Sequence, residues 1–417
     1  MRKLFNPETR NLEKKTYQVI FLWNYLNWGG AQIYFLSIVK HAPENWKFKL
    51  VIPRKSPDNI IEFFKRHGAE VEFLDALLDV SEAPTLKQKI KRQWRRIHSE
   101  ISAYRYISSR QMNDTVLHIE TAPWQSWILI KLLARRTKVF ITMHNSMPAV
   151  STFRSLIWKL RLRYLSRINN FRLFTSNQDT KKSLKPWVTD DFWKKIRVTY
   201  TCVDPGEIEA VSNRELNKAV FRQKFGIAAK KFVVLCVGQF IDRKGRVVFL
   251  EAAKNLLETD ENFHFLWLTQ TELKAEDFEL IESFELGASF GLVKSDSVGR
   301  ERTDILKFFQ IADVFALPSF VEGLPIALLE AMALGIPSIS TNVNAIPEAV
   351  IHEQTGLLIE ARNSGQLTEA VKKLKNEPAL RKRLSVEGKN YVLKHFDERV
   401  CAKTVLANYE AALQGEK

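Results

Sequence analysis

"VEGLPIALLEAMALGIP", residues 321–337, sets one glutamate just outside a helix start and a second one inside it. Pro325 has no amide hydrogen and a fixed φ, which suits a first helical turn. The helix is expected from about Leu324 or Pro325 to about Leu334, where Gly335 stops it. Glu322 then lies beside the free amide groups and Glu330 one to two turns in, so the two carboxylates stand roughly 10 Å apart. Paired glycosidase carboxylates sit about 5–9.5 Å apart, and the wider spacing fits a long ligand better than one bond. A helix N-terminus also favours an anion. A sugar nucleotide, with hydroxyls at both ends and phosphate between, has that layout. The competing expectation is a surface helix with two solvated glutamates.

Outward from this stretch, short apolar runs alternate with helical ones. "DVFALP" (313–318) precedes it and "PSIST" (337–341) and "TGLLIE" (355–360) follow. Upstream lie "ASFGLV" (288–293), "FHFLWLTQ" (263–270) and "KFVVLCVGQF" (231–240). An equivalent series occupies the first half: "TYQVIFLWNYL" (16–26), "FKLVIP" (48–53), "AEVEFLD" (69–75), "TVLHIE" (115–120), "TKVFITMHN" (137–145), "FRLFTSN" (171–177) and "KIRVTYTCVD" (195–204). Apolar strands alternating with helices imply parallel sheets covered on both faces. Two series imply an α/β protein of two Rossmann-like, doubly wound domains facing each other across a cleft. The first is expected over 1–205 and the second over 206–397, with a helix over about 398–417 packing back on the first. Ligands of such sheets bind at the carboxyl ends of the strands.

Size and composition agree. A chain of 417 residues with 45% hydrophobic and 26% charged side chains is that of a globular protein with more than one core. No apolar run reaches the ~18 residues of a membrane span, and the N-terminus lacks the apolar core of a signal peptide. Three scattered cysteines, Cys202, Cys236 and Cys401, form no CxxC and point to a reducing, cytoplasmic compartment. Charge is unevenly spread: residues 1–200 carry 36 Lys+Arg against 16 Asp+Glu, and 83–172 carry 18 against 3. A basic first half calls for an anionic partner such as a phosphorylated substrate, an anionic membrane or nucleic acid. No RNP, KH, zinc-finger or helix-turn-helix pattern accompanies it, so nucleic acid is not expected. Two segments, 85–110 and 153–168, interleave basic with aromatic and aliphatic side chains at helical spacing, the makeup of an interfacial membrane helix. The alternative is that their apolar side chains pack on the first sheet.

Further candidates sit at strand-to-helix turns. Gly29 and Gly30 lie in the first such turn, where the backbone can approach a ligand. Gly238 and Gln239 open the equivalent turn of the second half, and Arg243 and Lys244 follow within reach of a diphosphate. His144 follows the strand "KVFITM" and is expected to project into the cleft, whereas His118, inside "VLHIE", reads as a core or cleft-wall histidine. Neither histidine has a metal-ligand spacing, and the chain has no DxD triplet. No metal and no cofactor are expected.

These pieces together resemble the GT4-type retaining glycosyltransferases of GT-B fold, most strongly over 231–360. The resemblance rests on Glu322 and Glu330 with seven residues between them (the EX7E pattern), the preceding "ADVFALPS", and "EAMALGIPSISTNVNAIPEAV…TGLLI". It extends more weakly to "GGAQ" (29–32), "VLHIE", "FITMHN" and "TYTCVD". It departs at Gln239, where the family often has arginine, at Asn344-Ala345 in place of a glycine pair, at "LWLTQTE", and at Glu120 in place of the second histidine of an HxH. The resemblance implies a metal-independent retaining transferase that moves a sugar from a nucleotide-sugar donor to a glycan or lipid-linked acceptor. The setting it implies is cell-envelope polysaccharide synthesis, including lipopolysaccharide, in the cytoplasm or peripherally on the cytoplasmic face of the membrane. In that scheme Glu330 binds the ribose hydroxyls and Glu322 faces the donor sugar. Gly323, Leu324 and Pro325 line the helix start, Arg243 and Lys244 stabilise the leaving diphosphate, and the donor phosphate takes the acceptor proton. Other expectations stay open, namely a sugar-nucleotide epimerase on the same fold, or a catalytically silent scaffold that binds a membrane or polyanion.

Overall fold

The computed structural model describes residues 15–23, 30–54, 56, 58–76, 85–299 and 301–415. Among the described residues thirteen strands form two sheets. The first contains β1 (Tyr17–Trp23), β2 (Trp46–Pro53), β3 (Glu70–Leu74), β4 (Thr115–Glu120), β5 (Lys138–Met143), β6 (Phe171–Thr175) and β7 (Arg197–Val198). Its spatial order is β3-β2-β1-β4-β5-β6-β7. The second contains β8 (Phe232–Val237), β9 (Phe263–Thr269), β10 (Phe290–Lys294), β11 (Val314–Leu317), β12 (Ser338–Thr341) and β13 (Leu357–Ile359). Its order is β10-β9-β8-β11-β12-β13. Every pairing is parallel. The reason lies in the sequence: "VIFLW" in β1 and "VVLC" in β8 are buried on both faces, as helices on either side of a parallel sheet require. Each sheet reverses its strand order beside its first strand, and these switch points are where ligands of open α/β sheets sit.

Some strands end earlier than the apolar runs suggest. β7 is only two residues long: the Thr199 amide still donates to the Thr175 carbonyl of β6 at 2.8 Å, and beyond it the chain leaves the sheet. The Val203 amide instead donates to the Phe396 carbonyl at 2.9 Å, and Val203 accepts from the Glu398 amide at 3.0 Å. "ASFGLV" begins as a 3-10 turn, Gly287–Ser289, before β10 starts at Phe290.

The helix Glu398–Leu413 returns to the first sheet and packs on the helix Gly30–Lys40. Its Tyr409 hydroxyl bonds His118 Nδ1 inside a cluster of Phe21, Phe35, Phe140 and Phe174. Thr142 Oγ1 lies 3.0 Å from the other ring nitrogen, and burial holds His118 well below the usual imidazole range. His118 is therefore a satisfied core residue. Cys236 is likewise plain core within β8.

The two basic segments form helices Leu86–Ser108 and Thr152–Leu165 on the outside of the first sheet. In the first, only Ser99, Ala103 and Ile107 are buried, while Leu86, Ile90, Trp94, Ile97 and Ile101 are exposed. In the second, Leu162 and Leu165 are buried, while Phe153, Leu156, Leu160 and Tyr164 are exposed. Some of the apolar side chains do turn inward: Trp158 stacks on Trp124, and the Tyr106 hydroxyl donates to Glu72 at 2.7 Å. Among the described residues, no helix is long and apolar enough to cross a membrane.

Candidate active site

The loops after β8 and β11 are locked together at Gly245. Its φ is +78°, and a Cβ there would fall 2.0 Å from the Pro318 carbonyl oxygen, so only glycine allows this approach. Gly238, at the end of β8, donates its amide to Leu268 at 3.0 Å and accepts from Trp267 Nε1 at 2.9 Å. A Cβ at that position would stand 3.6 Å from Lys244 Cε, an ordinary contact, so the stem of Lys244 packs directly over this turn. Gln239 is exposed at the same turn. Arg243 and Lys244 close a 3-10 turn, Asp242–Lys244, directed at the loop after β11.

That loop presents Glu322, which is 6% exposed and so not the solvated glutamate of the competing expectation. Lys244 Nζ lies 2.5 Å from its Oε1 and Arg243 Nη1 3.8 Å from its Oε2. Ser319 Oγ donates to Oε1 at 2.7 Å, and the Glu322 amide donates to Asn344 Oδ1 at 3.3 Å. Arg243 also donates to the Val321 carbonyl at 3.0 Å and remains 44% exposed, with charge available to a ligand. The helix starts slightly later than expected, spanning Ile326–Ala333 with Pro325 as N-cap and Leu324 buried before it. Gly335, at φ +71°, ends it. Glu330 faces into this helix's surroundings, again 6% exposed, and pairs with Arg302 Nη2 at 2.7 Å. Burial pushes its carboxyl above the usual range, with Arg302 opposing.

The first domain meets this site at His144, just past β5. A Cβ on Gly323 would stand 2.3 Å from the His144 carbonyl oxygen and 3.2 Å from Asn145 Oδ1, so the two halves of the cleft touch where Glu322 begins the loop. His144 Nε2 faces the Glu120 carboxylate at 3.9 Å, and its ring meets Tyr34 edge-on at 5.4 Å between centroids. Burial lowers the ring's pKa to about 4, so it is neutral at ordinary pH. Gly30 opens the helix Gly30–Lys40; Gly29 lies outside the described residues. A second contact crosses the cleft nearby: the Glu348 carboxylate accepts the amides of Gln178 at 2.9 Å and Asp179 at 2.8 Å.

The structure thus gathers Gly238, Arg243, Lys244, Glu322, Gly323 and His144 into one region. Glu330 keeps separate company with Arg302. Sequence reasoning missed Ser319, Asn344, Arg302 and Glu348. Only Ser319 had a local signal, since a hydroxyl three residues before a glutamate reaches it across one turn.

Residues 217–391 match the family described as Glycosyl transferases group 1. Over 324 residues the chain is 26% identical to the UDP-Gal:alpha-D-GlcNAc-diphosphoundecaprenol alpha-1,3-galactosyltransferase of Escherichia coli, which covers 76% of this chain and 80% of that protein. It is 23% identical over 313 residues to the lipopolysaccharide core biosynthesis glycosyltransferase LpsD of Rhizobium meliloti (strain 1021), covering 74% of this chain and 81% of that one. Anabaena Alr3699/HepE, solved in complex with UDP and glucose, superposes with a TM-score of 0.73 at 14% identity, over 95% of this chain and 100% of that chain. The last likeness is one of fold, and the fold is GT-B.

Proposed function

We propose that this chain, a group 1 glycosyltransferase, moves a sugar with retention and without a metal ion from a nucleotide-sugar donor to a lipid-linked glycan, docked on the cytoplasmic face of an anionic membrane. The observation that carries the proposal is the approach of Gly323 to His144, which brings buried Glu322, its two cations and a neutral histidine together at the carboxyl ends of β5, β8 and β11. Glu330 receives the ribose hydroxyls and Glu322 faces the donor sugar. Arg243 and Lys244 stabilise the negative charge that grows on the leaving diphosphate, a role for which a fixed cation in a cleft is effective. The acceptor oxygen bonds to the anomeric carbon from the face that the diphosphate leaves. Its proton passes to a phosphate oxygen of the leaving group, so no protein nucleophile is needed.

Two lines support the acceptor class. The Escherichia coli relative's name specifies a sugar on diphosphoundecaprenol, and that of the Rhizobium meliloti relative specifies lipopolysaccharide core synthesis. The helices Leu86–Ser108 and Thr152–Leu165 add exposed apolar side chains within a strongly basic region, the combination that holds a helix at an anionic lipid surface. Cell-envelope polysaccharide synthesis is the setting that fits.

The experiment is a panel of nucleotide sugars, UDP-sugars first, incubated with a synthetic diphospholipid-linked sugar. Acceptor-dependent nucleotide release and an NMR coupling constant matching the donor anomer are expected. Release of an epimerised sugar without acceptor, or a product of inverted configuration, contradicts the proposal.

A further inference from the structure

Glu330 belongs to a buried row of charges that joins both domains. Arg302, the first residue of the helix Arg302–Phe309, holds Glu330 Oε1 with Nη2 at 2.7 Å and turns Nε to Glu207 Oε2. Glu207, on the helix Pro205–Ala210, accepts Lys40 Nζ of the first domain at 3.0 Å with its other oxygen. Lys40 also meets Asp204 at 2.5 Å and Glu398 at 2.8 Å, and His41 Nε2 lies 2.8 Å from the same Glu398 oxygen. The guanidinium side chain of Arg302 is 13% exposed and the Glu330 side chain 8%.

A carboxylate that deep is driven towards its neutral form unless a cation stays beside it. Burial acts most strongly on Glu330 and disfavours its ionised form; Arg302 favours that form, and Glu207 and Glu398 disfavour it. A ribose presents two hydroxyl donors, and an ionised carboxylate accepts both, whereas a protonated one has given an oxygen over to a proton. Arg302 ties Oε1 from one side and leaves Oε2 for the ligand. Glu207 holds a second guanidinium nitrogen, Nε, so the fork has one orientation.

We infer that Arg302 is a positioning residue for nucleotide binding, keeping Glu330 ionised and aimed. The inference rests on the proposed ribose role of Glu330. The test is calorimetric titration at pH 6, 7 and 8 with whichever of UDP, GDP and ADP the wild-type protein binds most tightly. Variants are Glu330→Gln, Arg302→Gln, Arg302→Lys and the double Arg302→Gln/Glu330→Gln, each with its melting temperature. Glu330→Gln should weaken binding at least about tenfold at every pH. Arg302→Gln should weaken it more at pH 6 than at pH 8, because loss of the cation raises the Glu330 pKa and the binding form disappears as pH falls through it. Arg302→Lys should restore most of the affinity and its flat pH profile, and the double variant should bind no worse than Arg302→Gln at pH 6. Unchanged affinity in Arg302→Gln beside a weakened Glu330→Gln overturns the inference and leaves the ribose role standing. So does a loss that is equal at all three pH values and not rescued by lysine. Unchanged affinity in Glu330→Gln overturns the ribose role itself.

Discussion

Glu322 and Glu330 are both buried carboxylates, and the cation beside each one separates their roles. Lys244, which pairs with Glu322, comes from the loop that follows β8, so in the proposed scheme removing Glu322 disturbs the sugar and diphosphate end of the site. Glu330 is held by Arg302, away from that loop. Glu330→Ala should therefore weaken binding of free nucleotide, while Glu322→Ala should lower kcat with nucleotide affinity nearly intact. Equal losses in calorimetric titrations of both variants would sink the assignment. Neutralising Arg243 and Lys244 together should reduce turnover heavily, since losing even one charge-stabilising donor typically costs about 10²–10³-fold. Activity that disappears with EDTA and returns with magnesium or manganese would show that a metal carries this charge instead. His144 makes a pH statement. Its folded pKa, about 4, lies below the ordinary imidazole value, so protonation accompanies unfolding. Stability contributed by the neutral ring is whole above about pH 6.5 and declines as pH falls towards 4; His264, also lowered to about 4 by burial, acts in the same direction. The melting temperature should fall across that window, while kcat/KM shows no acid limb near 6.5. A limb at 6.5 that vanishes in His144→Asn would contradict a neutral His144.

Among the elements, the helices Leu86–Ser108 and Thr152–Leu165 carry the least resolved burial problem of the fold. Leu86, Ile90, Trp94, Ile97 and Ile101 recur at helical spacing on the side away from buried Ser99, Ala103 and Ile107, and Trp94 is 68% exposed. Leu160 is 61% exposed on the second helix. Each basic side chain near an anionic surface contributes about 1 kcal/mol, so the charges around these stripes suffice for peripheral attachment. The protein should co-sediment with anionic vesicles at low salt, less at high salt, and Trp94→Ser with Leu160→Ser should reduce this without changing nucleotide affinity. No binding at low salt, or equal binding to neutral vesicles, leaves a water-soluble acceptor in its place. These stripes were legible in the sequence as interleaved charge and aromatics, and so was the strand-helix alternation, because buried parallel strands are written as continuous apolar runs. Lys244 was legible through its place at a strand end, and Glu322 through its place at a helix start with seven residues between it and a second glutamate. Arg302 with Glu207, 95 residues apart, and Glu348 with the Gln178 amide, 170 apart, were not. Nothing local distinguishes a buried arginine or a cross-cleft glutamate from the many solvated ones until the fold brings their partners to them.

At the scale of the molecule, the cleft is defined by how closely the two sheets' loops approach. Glu348 grips two amides of the first domain, Arg66 reaches Glu301 at 3.0 Å across the surface, and Gly323 sits against the His144 carbonyl. The last contact lies beside Glu322 and is set by the absence of one methyl group. Gly323 does not have a left-handed φ, so alanine there is allowed by the backbone and meets only the neighbour across the cleft. With the Cβ only 2.3 Å from the oxygen, the domains must part by roughly 1 Å to restore ordinary contact. A displacement of that size in a reacting pair costs on the order of 10²-fold in rate. Gly323→Ala should accordingly fold with an unchanged melting temperature and bind nucleotide almost normally, because Glu330 and Arg302 lie within the second domain. Its kcat should drop by about two orders of magnitude. Measured kcat within twofold of wild type would show that the Gly323–His144 contact is not the geometry in which the sugar is transferred. A parallel loss of nucleotide affinity would show instead that the added methyl group acts on the donor site itself rather than on closure.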